Sequence, residues 1–417
     1  MKDFLESAPG LVGDVARHVY ACLEYDEPGI ALAAALAFVG ALKSQRICNE
    51  FKIPPCIYSA IIADSGIGKS QAQSAIKEII KEAGLSTLLM GRPASDVGLI
   101  SALESESRRL LIWDEFGIAL GSLSKSKASH EALILSTIMD LFSSAGKQFV
   151  GKEYSKNSNR QRIDIKEPYL SIFAASTPNR FFDSLSKDFV FDGFLPRWLL
   201  FFSTNNKEKF LHIRDYVLEY EVPSIPQSII KQVRAIDKGK PKTSGGDVEK
   251  ILFPEKIKVS FDSSSLKALK LLKKSCKMNY LDNTGTIKGI FYSRIFEYVV
   301  RISTLLEEEG FVSNASVLWA EELVTKLALE AIVKCDISLF DNSVQKQGDS
   351  IREKILLEIP ARGMISKSEL TRKTFRCAPA FQRNSVLQDL IESEIISTQV
   401  LEDPKTLRQI TFYKRGV

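Results

Sequence analysis

The chain has 417 residues, of which 45% are hydrophobic and 26% are charged, and its formal net charge at pH 7 is +5. These values are typical of a water-soluble globular protein with roughly two to four domains, and the mildly basic charge permits nucleic acid as a partner without requiring it. Scattered cysteines without a Cys-x-x-Cys pair argue against a zinc site, and the longest apolar run, Gly29 to Leu42, is too short to span a bilayer. We therefore expect a cytoplasmic protein with reduced thiols and no membrane partner.

Residues 1–50 are predicted to be helical. The segment from Leu11 to Glu24 has helical spacing of its apolar residues, and a Glu-Pro-Gly turn separates it from the alanine-rich run that ends at Leu42. That run is typical of a buried helix. Together the two segments predict a small N-terminal helical collar that leads into the next strand.

A glycine-rich turn follows the first strongly apolar strand. The run from Ile57 to Ile62 predicts a buried strand, and Gln73 to Ala83 predicts a helix. Between them lie, in order, Ala63, Asp64, Ser65, Gly66, Ile67, Gly68, Lys69, Ser70 and Gln71. Strand, glycine turn, Gly-Lys-Ser and helix are together typical of a P-loop, in which backbone N–H groups and a helix N-terminus bind phosphates.

The residue types in this turn predict a nucleotide site. Gly66 and Gly68 leave room for backbone N–H groups to approach phosphate oxygens. Lys69 adds a positive charge at the β- and γ-phosphates, and Ser70 can ligate Mg²⁺. The motif usually begins with glycine, and Ala63 fits that position if its φ is negative. We therefore expect ATP and Mg²⁺ as ligands.

A second buried strand ends in two acids. Four apolar residues, Leu110 to Trp113, are followed directly by Asp114 and Glu115. Parallel strands present ligand-binding residues at their carboxyl ends. We expect Asp114 to hold Mg²⁺ through water, and Glu115 to orient or deprotonate the attacking water.

Residues 147–165 predict a β-hairpin, because two short alternating runs flank a polar turn rich in Asn and Ser. Its arms and tip carry four candidate DNA-binding cations, Lys152, Lys156, Arg160 and Arg162. The alternative is a solvated surface hairpin, and the sequence leaves both open.

A third buried strand, Tyr169 to Ala175, ends in the polar sequence Ser-Thr-Pro-Asn. Thr177 and Asn179 are therefore expected beside the γ-phosphate. A last apolar strand follows further along the chain, and Arg197 stands just before it.

In this order the motifs resemble the AAA+ core of hexameric replicative helicases. The resemblance is to minichromosome-maintenance helicases and to the helicase-like replication proteins of prophages and mobile elements. It is carried by Ala63 to Gln71, Leu111 to Phe116, Ser171 to Pro178 and Phe194 to Phe201. It covers about residues 10–205 well and the remainder loosely.

The resemblance implies roles for single residues. Thr177 falls on sensor 1, where asparagine is usual, with Asn179 as its neighbour. Arg197 falls on the arginine finger, which acts on the nucleotide of the next subunit. The hairpin before sensor 1 carries a DNA-gripping lysine in such families, for which Lys156 is the first candidate and Lys152 the second.

The C-terminal half is predicted in three parts. Residues 206–260 form a polar connector broken by Pro and Gly, with a strand near its end, and Ser263 to Asp336 has the helical pattern expected of the lid of such ATPases. Arg294 in this region is a candidate for sensor 2, or an ordinary arginine on a helix surface. A polar linker, 341–349, then separates the lid from the C-terminal segment.

Three short helices and two strands are predicted between residues 351 and 413, which is typical of a winged helix. Its second and third helices bring candidate DNA-binding cations: Lys367, Arg372, Lys373, Arg376 and Arg383. Winged helices also dock proteins, so both functions stay open for this segment.

The predicted fold is therefore α/β. A P-loop AAA+ parallel-sheet core at 51–205 follows the collar at 1–50, with a connector and helical lid at 206–345 and a winged helix at 346–417. The expected function is that of an ATP-dependent DNA helicase or translocase of a phage or mobile element. We expect it to act on single-stranded or forked DNA as a homo-oligomeric ring, by resemblance a hexamer, with a replication initiator or a primase as a further candidate partner.

Two alternatives stay open. The first is a replication initiator or helicase loader, which would use the same ATPase as a switch and bind origin DNA through the winged helix. The second is a structural or docking protein that does not hydrolyse ATP, and the intact pair Asp114 and Glu115 argues against it.

Overall fold

The computed structural model describes residues 1–125, 130–154, 161–185, 190–203, 222–237, 256–307, 309–360, 363–375, 378–393, 395–402 and 409–415. Among these the chain forms two compact units, Met1–Asp336 and Ile337–Val417, each with its own β-structure. None of the helices described is both long and apolar enough to cross a membrane.

The described part of the first unit contains two parallel sheets. Its described strands are β1 (Ile47–Asn49), β2 (Tyr58–Ile62), β3 (Leu89–Met90), β4 (Arg108–Trp113), β5 (Tyr169–Ser176), β6 (Leu199–Phe202), β7 (Ile257–Phe261) and β8 (Phe311–Val312). Five of them pair in the order β3-β4-β5-β2-β6, and a separate small parallel sheet has the order β1-β7-β8. Every residue of β2 and β5 is buried, which explains their continuous apolar sequences. The predicted α/β class is confirmed.

Helices surround this sheet. Those described in the first unit are α1 (Lys2–Ser7), α2 (Gly10–Ala21), α3 (Pro28–Lys43), α4 (Lys69–Ala83), α5 (Asp96–Ser105), α6 (Phe116–Lys125), α7 (His130–Ser144), α8 (Pro178–Asp183), α9 (Gln227–Asp237), α10 (Ser263–Asp282), α11 (Ile287–Leu305) and the beginning of α12 (Asn314–Glu358). The predicted helix after the glycine turn is confirmed. Helix α5 begins after Ser95, whose Oγ accepts a capping hydrogen bond from Gly98 N.

Helix α3 lies in the core of the first unit. All 16 of its residues are buried, and it packs against α2, β2, β4, β5 and β6. Ser59 Oγ in β2 donates a hydrogen bond to Ala33 O at 2.8 Å, and a Cβ on Gly40 would lie only 2.9 Å from Pro55 O. Small side chains therefore let this helix lie directly on the sheet. The buried helix is as predicted, but the segment predicted as a separate collar is a layer of the core.

Helix α11 ties the predicted lid to the same core. Arg301 is 2% exposed and donates hydrogen bonds to Pro54 O at 2.7 Å and Cys56 O at 2.9 Å. It also pairs with Glu297 at 2.6 Å. Burial alone would lower the pKa of Arg301, but the charge and hydrogen bond of Glu297, together with Cys56 and Tyr298, outweigh burial and the pKa is raised. Removing one partner of this buried pair would leave an uncompensated charge, so the contact fixes α11 firmly.

The second unit is a small mixed domain. The end of α12, α13 (Lys367–Thr374) and α14 (Ala380–Glu392) pack with an antiparallel sheet of β9 (Ile365–Ser366), β10 (Ile396–Glu402) and β11 (Gln409–Arg415), in the order β10-β11-β9. Its buried cluster consists of Ile351, Ile355, Ile359, Ile365, Leu370, Leu390, Ile396 and Tyr413. The last two predicted helices and the two predicted strands are confirmed, whereas the first predicted short helix is the end of the long helix α12.

One predicted boundary is wrong. Segment 341–349, predicted as a linker, is helical, because α12 runs without a break from Asn314 to Glu358. The segment contains one glycine and no proline, and its Gln and Lys residues are good helix formers. The polar composition of this segment therefore belongs to the interior of the helix and does not indicate its end.

Candidate nucleotide site

The glycine turn has the backbone that a phosphate loop needs. Gly66 and Gly68 have φ values of 84° and 98°, which only glycine adopts without strain, and Gly68 is the N-cap of α4. Ala63 is not among the described residues with positive φ, so its side chain is compatible with the first position of the motif. Ala63 N still donates to Ser176 O at 3.0 Å, so the turn begins directly at the carboxyl end of β2.

Lys69 lies inside this turn. Its Nζ donates hydrogen bonds to Ala63 O and, at 2.8 Å, to Asp64 O. Burial lowers the pKa of the Lys69 ammonium, and the charges of Asp114, Glu115 and Asp64 oppose that shift. The structure therefore brings together Lys69 and the acid pair that lies more than 40 residues away in the sequence.

The acid pair sits on a strained turn. β4 ends at Trp113, which is 1% exposed, while Asp114 and Glu115 are both exposed. Glu115 has a φ of 55°, and its N donates to Asp114 Oδ1 at 3.0 Å. A left-handed glutamate costs about 1–3 kcal/mol, and such strain clusters at functional sites. The turn directs both carboxylates out of the sheet edge just before α6 begins at Phe116.

The end of β5 lies between the glycine turn and the acid pair. The strand order puts β5 between β2 and β4, so Ser176 and Thr177 reach the same edge as the turn and the acids. Thr177 is the N-cap of α8 and is half-buried, whereas Asn179 is exposed. The start of α6 packs closely against the end of β5, because a Cβ on Gly117 would lie 2.4 Å from Ser176 Oγ.

The sequence patterns missed two residues at this edge. Arg180 is exposed, and its Cβ would lie 3.0 Å from a Cβ on Gly117, so its backbone adjoins the acid turn. Glu24 N donates to Gln71 Oε1 at 3.1 Å, which ties the segment after α2 to the start of α4. The position of Arg180, three residues after Thr177, could have indicated that it lies at this edge. Nothing in the sequence around Glu24 indicates its contact with Gln71.

Arg197 lies at the opposite edge of the sheet. β6 is parallel to β2, with Ser59 opposite Leu199 and Ile62 opposite Phe202, so the residue before β6 is at the amino edge. Arg197 is level with Ile57, six residues before the turn begins at Ala63, so at about 3.3 Å per residue it lies about 20 Å from the glycine turn along the strand direction. Burial and the charge of Arg294 lower the pKa of Arg197, and its buried Nε has no hydrogen-bond partner among the described residues.

Arg294 accompanies Arg197 at that edge. It pairs with Glu297 at 2.7 Å, and Glu297 also holds Arg301. Tyr298, in the same turn of α11, donates a hydrogen bond from its hydroxyl to Arg197 O. The predicted sensor 2 residue is thus placed beside the predicted arginine finger, and away from the glycine turn of its own chain.

The hairpin is described only at its base. Phe149 and Ile165 form an antiparallel bridge with hydrogen bonds of 2.8 and 2.9 Å, as a hairpin requires, and the tip with Lys156 and Arg160 lies outside the described residues. Lys152 Nζ pairs with the buried Asp96 at 2.6 Å.

Arg162, on the other arm of the hairpin, pairs with Glu153 at 2.5 Å and with Asp164 at 2.6 Å. Both described candidate cations of the hairpin are therefore neutralised within the chain.

The second unit separates its candidate cations into two groups. Lys367, Arg372 and Lys373 are exposed on α13, and Lys373 lies 3.6 Å from both Glu358 and Glu369.

Arg383 is different, since it is 9% exposed and donates to Thr371 O at 3.2 Å. Its guanidinium carbon lies 6.0 Å from the centre of the Phe375 ring, so it is engaged within the unit, and its contact with DNA stays a prediction. Arg376 lies outside the described residues.

The glycine turn fits a nucleotide phosphate. A Cβ on Gly66 would meet nothing within 4 Å, and two backbone carbonyls are the described partners of the Lys69 ammonium, which phosphate oxygens could replace. Within the described residues no group of three or more His, Cys, Asp or Glu side chains could hold a metal ion. A Mg²⁺ held by Ser70 and Asp114 would therefore also need phosphate oxygens as ligands.

Comparison of the sequence with protein-family models gave no match, and comparison with curated proteins gave none either.

Proposed function

We propose that this chain is an AAA+ ATPase that assembles into a ring and couples ATP hydrolysis to movement along DNA, as a replicative helicase or translocase. The proposal begins from the carboxyl edge of the parallel sheet. There Lys69 lies within the electrostatic reach of Asp114 and Glu115. A phosphate-binding turn, a lysine and an acid pair at one sheet edge are the parts that phosphoryl transfer to water requires.

The observation that carries the ring is the division of the predicted site between two edges. Lys69 and the acids are at the carboxyl edge, and Arg197 and Arg294 are at the amino edge, with about 20 Å between Arg197 and the glycine turn along the strands. One chain cannot close this distance without unfolding its sheet. Head-to-tail contacts between identical chains bring the carboxyl edge of one to the amino edge of the next, and such contacts form a ring when the rotation between neighbours closes.

In the complete site each residue has one role. Lys69 exchanges its two carbonyl partners for oxygens of the β- and γ-phosphates. Ser70 and Asp114 would hold Mg²⁺, which would supply neutralisation of the phosphate charge. Glu115 accepts a proton or hydrogen bond from the attacking water, and its place directly after β4 puts it at the carboxyl edge of the sheet.

The remaining groups stabilise charge. Thr177, at the end of the strand between the glycine turn and the acids, donates a hydrogen bond toward the γ-phosphate. Arg197 and Arg294 of the neighbouring chain add positive charge where negative charge develops on the transferred group. An arginine supplied in this way is worth about 10³–10⁵ in rate.

DNA is the proposed track, and the second unit supports this part. Its antiparallel sheet with α13 and α14 is arranged as a winged helix would be, and α13 exposes Lys367 and Arg372. The hairpin base formed by Phe149 and Ile165 supports a projecting hairpin between α7 and β5. Its tip residue Lys156 remains the proposed DNA-gripping lysine.

A replication initiator or helicase loader is the second candidate, and one observation favours it. Lys152 and Arg162 pair with Asp96, Glu153 and Asp164, so the described part of the hairpin offers neither of these cations to a DNA backbone. In that case ATP would control assembly, and the exposed cations of α13 would bind DNA.

ATP hydrolysis and fork unwinding test the proposal together. Wild type should hydrolyse ATP faster with single-stranded DNA, and Glu115→Gln should bind ATP but lose about 10²–10⁴ in rate, because the amide cannot act as a base. Glu104→Gln, an exposed acid on α5, is the matched control and should hydrolyse normally. Hydrolysis without unwinding would favour the loader, and no hydrolysis by wild type under any condition would end the ATPase proposal.

A further inference from the structure

Helix α10 presents two different faces. Its buried side chains follow helical spacing and consist of Ser265, Leu269, Leu272 and Cys276. The buried face packs against α11 within the first unit. The helix is 20 residues long and is capped by Asp262, whose side chain accepts a hydrogen bond from Ser265 N, so its orientation on the unit is fixed at the start.

The opposite face is a row of cations. Four exposed lysines recur at spacings of three, four and three residues, which places them on one side of the helix: Lys267, Lys270, Lys274 and Lys277. We call these four the lysine face. At 1.5 Å per residue it is about 15 Å long. The sequence from Ser263 to Leu281 contains no Asp or Glu.

The described residues around the lysine face do not neutralise it. Within the described part of the chain, none of the four makes an ion pair. A fifth lysine, Lys273, lies to one side with its Nζ 5.2 Å from the centre of the Phe296 ring, and is engaged there. Like charges three and four residues apart destabilise a helix, so an uncompensated row of them is costly unless a polyanion binds to it.

We propose that the lysine face binds the phosphate backbone of a nucleic acid strand. A strand carries one phosphate per about 3.4 Å of helix axis, so a 15 Å row of cations spans about four of them. The rigid helix fixes the spacing of the lysines before binding. Because lysine is a flexible point charge and no planar side chain lies among the four, this surface binds backbone without reading sequence.

A membrane surface fits the helix less well. The apolar side that could enter a lipid layer is packed inside the protein through Leu269 and Leu272. Leu271 and Met278 are 62% and 51% exposed and lie along one flank of the lysine face, and Leu281, 55% exposed, lies beyond its C-terminal end. Between Lys267 and Lys277 the outermost positions are charged, which favours phosphates in solution over insertion into lipid.

This site extends the proposed function, since it adds a second surface for the same polymer outside the hairpin and α13. It does not rest on ATP hydrolysis. In the proposed motor the lysine face would guide the strand or hold the displaced one, and in a loader it would hold the DNA that is being delivered.

The test compares two variants of equal charge. One replaces Lys267, Lys270, Lys274 and Lys277 with Gln, and the other replaces four exposed lysines elsewhere with Gln: Lys2, Lys77, Lys81 and Lys231. Each lowers the net charge from +5 by four charges. Binding to a labelled oligothymidylate and to a labelled duplex is measured by fluorescence anisotropy across a salt series, without nucleotide, and ATPase activity is measured separately.

The lysine-face variant should bind at least tenfold more weakly at low salt, and its salt slope on single strands should fall by about 2–3, near 0.7 for each phosphate that is no longer neutralised. The control should keep the wild-type slope. Circular dichroism and thermal unfolding check folding, and if the fourfold variant unfolds, Lys270→Gln with Lys274→Gln should still lower the slope by about 1–1.5.

Three results would overturn the proposal: unchanged DNA binding, an equal loss of affinity in the control, or intact DNA binding together with abolished binding to phosphatidylserine vesicles. The outcome is independent of the motor proposal. If the wild type binds DNA through the lysine face but hydrolyses no ATP, the lysine-face proposal stands and the motor proposal fails. If the lysine-face variant keeps wild-type DNA affinity and normal DNA-stimulated ATPase activity, the lysine-face proposal fails and the motor proposal stands.

Discussion

Gly117 sets the distance between the acid turn and the end of β5, and replacing it by alanine should disable the site without unfolding the protein. Gly117 is the second residue of α6 and comes two positions after Glu115. A Cβ there would lie 2.4 Å from Ser176 Oγ, 3.0 Å from Arg180 Cβ and 3.1 Å from the backbone C of Arg180. The hydroxyl can rotate away, but the Arg180 backbone cannot.

The size of the effect follows from these distances. Ordinary contact starts at 3.4 Å, so Gly117→Ala is about 1 Å short of space at the Ser176 hydroxyl and a few tenths short at the Arg180 backbone. Overpacking of this kind costs about 1–3 kcal/mol, and the better helix propensity of alanine offsets about 1 kcal/mol of it. Displacing catalytic groups by about 1 Å can cost about 10²-fold in rate.

We therefore expect Gly117→Ala to unfold within a few degrees of wild type while its ATP hydrolysis falls about 10²-fold. Gly98→Ala is the matched control, since Gly98 also lies in the first turn of a helix and its Cβ would meet Ser95 Oγ at an ordinary 3.5 Å. Steady-state ATPase assays and thermal unfolding on both variants measure the two effects. A folded Gly117→Ala protein with wild-type hydrolysis would refute the assignment of this edge as the catalytic site.

Two further predictions concern the ring and the hairpin. Arg197→Ala and Lys69→Ala should each abolish hydrolysis, and mixing the two proteins should restore part of it, because one intact carboxyl edge can meet one intact amino edge; mixtures no better than the single variants would refute the shared site. Asp96→Asn should release Lys152, raising single-strand affinity and steepening its salt slope by about 0.7. The matched variant Lys152→Ala should show no such gain, and if Asp96→Asn also leaves DNA binding unchanged, this arm of the hairpin has no role in it.

The sequence predicted those parts of the site that depend on local pattern. The strand from Ile57, the glycine turn and the helix after it are contiguous, so apolar runs and glycine positions were enough to predict them. Asp114 and Glu115 were predictable in the same way, because a buried run ends at them. The predicted convergence of these segments needed only the rule that parallel strands share a carboxyl edge.

What could not be predicted depends on contacts between distant residues. The pair Lys152 and Asp96 joins residues 56 apart, and no spacing rule indicates it. The left-handed φ of Glu115 occurs without the glycine that would mark it in a sequence. The alanine-rich α3 was recognisable as buried, but only the three-dimensional structure shows that it packs on the sheet.

The amino edge of the sheet carries more positive charge than the single chain balances. Arg197, Arg294 and Arg301 lie around Glu297, and the charge of Arg294 adds to burial in lowering the pKa of Arg197. A second acid near Arg197 is Asp140, whose pKa burial raises, so it is a weak partner. Arg301 is satisfied by backbone carbonyls, whereas the Nε of Arg197 is buried with no partner among the described residues. A buried guanidinium nitrogen without a partner costs about 1–3 kcal/mol, and an anion arriving from outside the chain would recover that cost. In the proposed ring, phosphates held at the carboxyl edge of a neighbouring chain would be such an anion, so we expect nucleotide binding and ring assembly to stabilise each other.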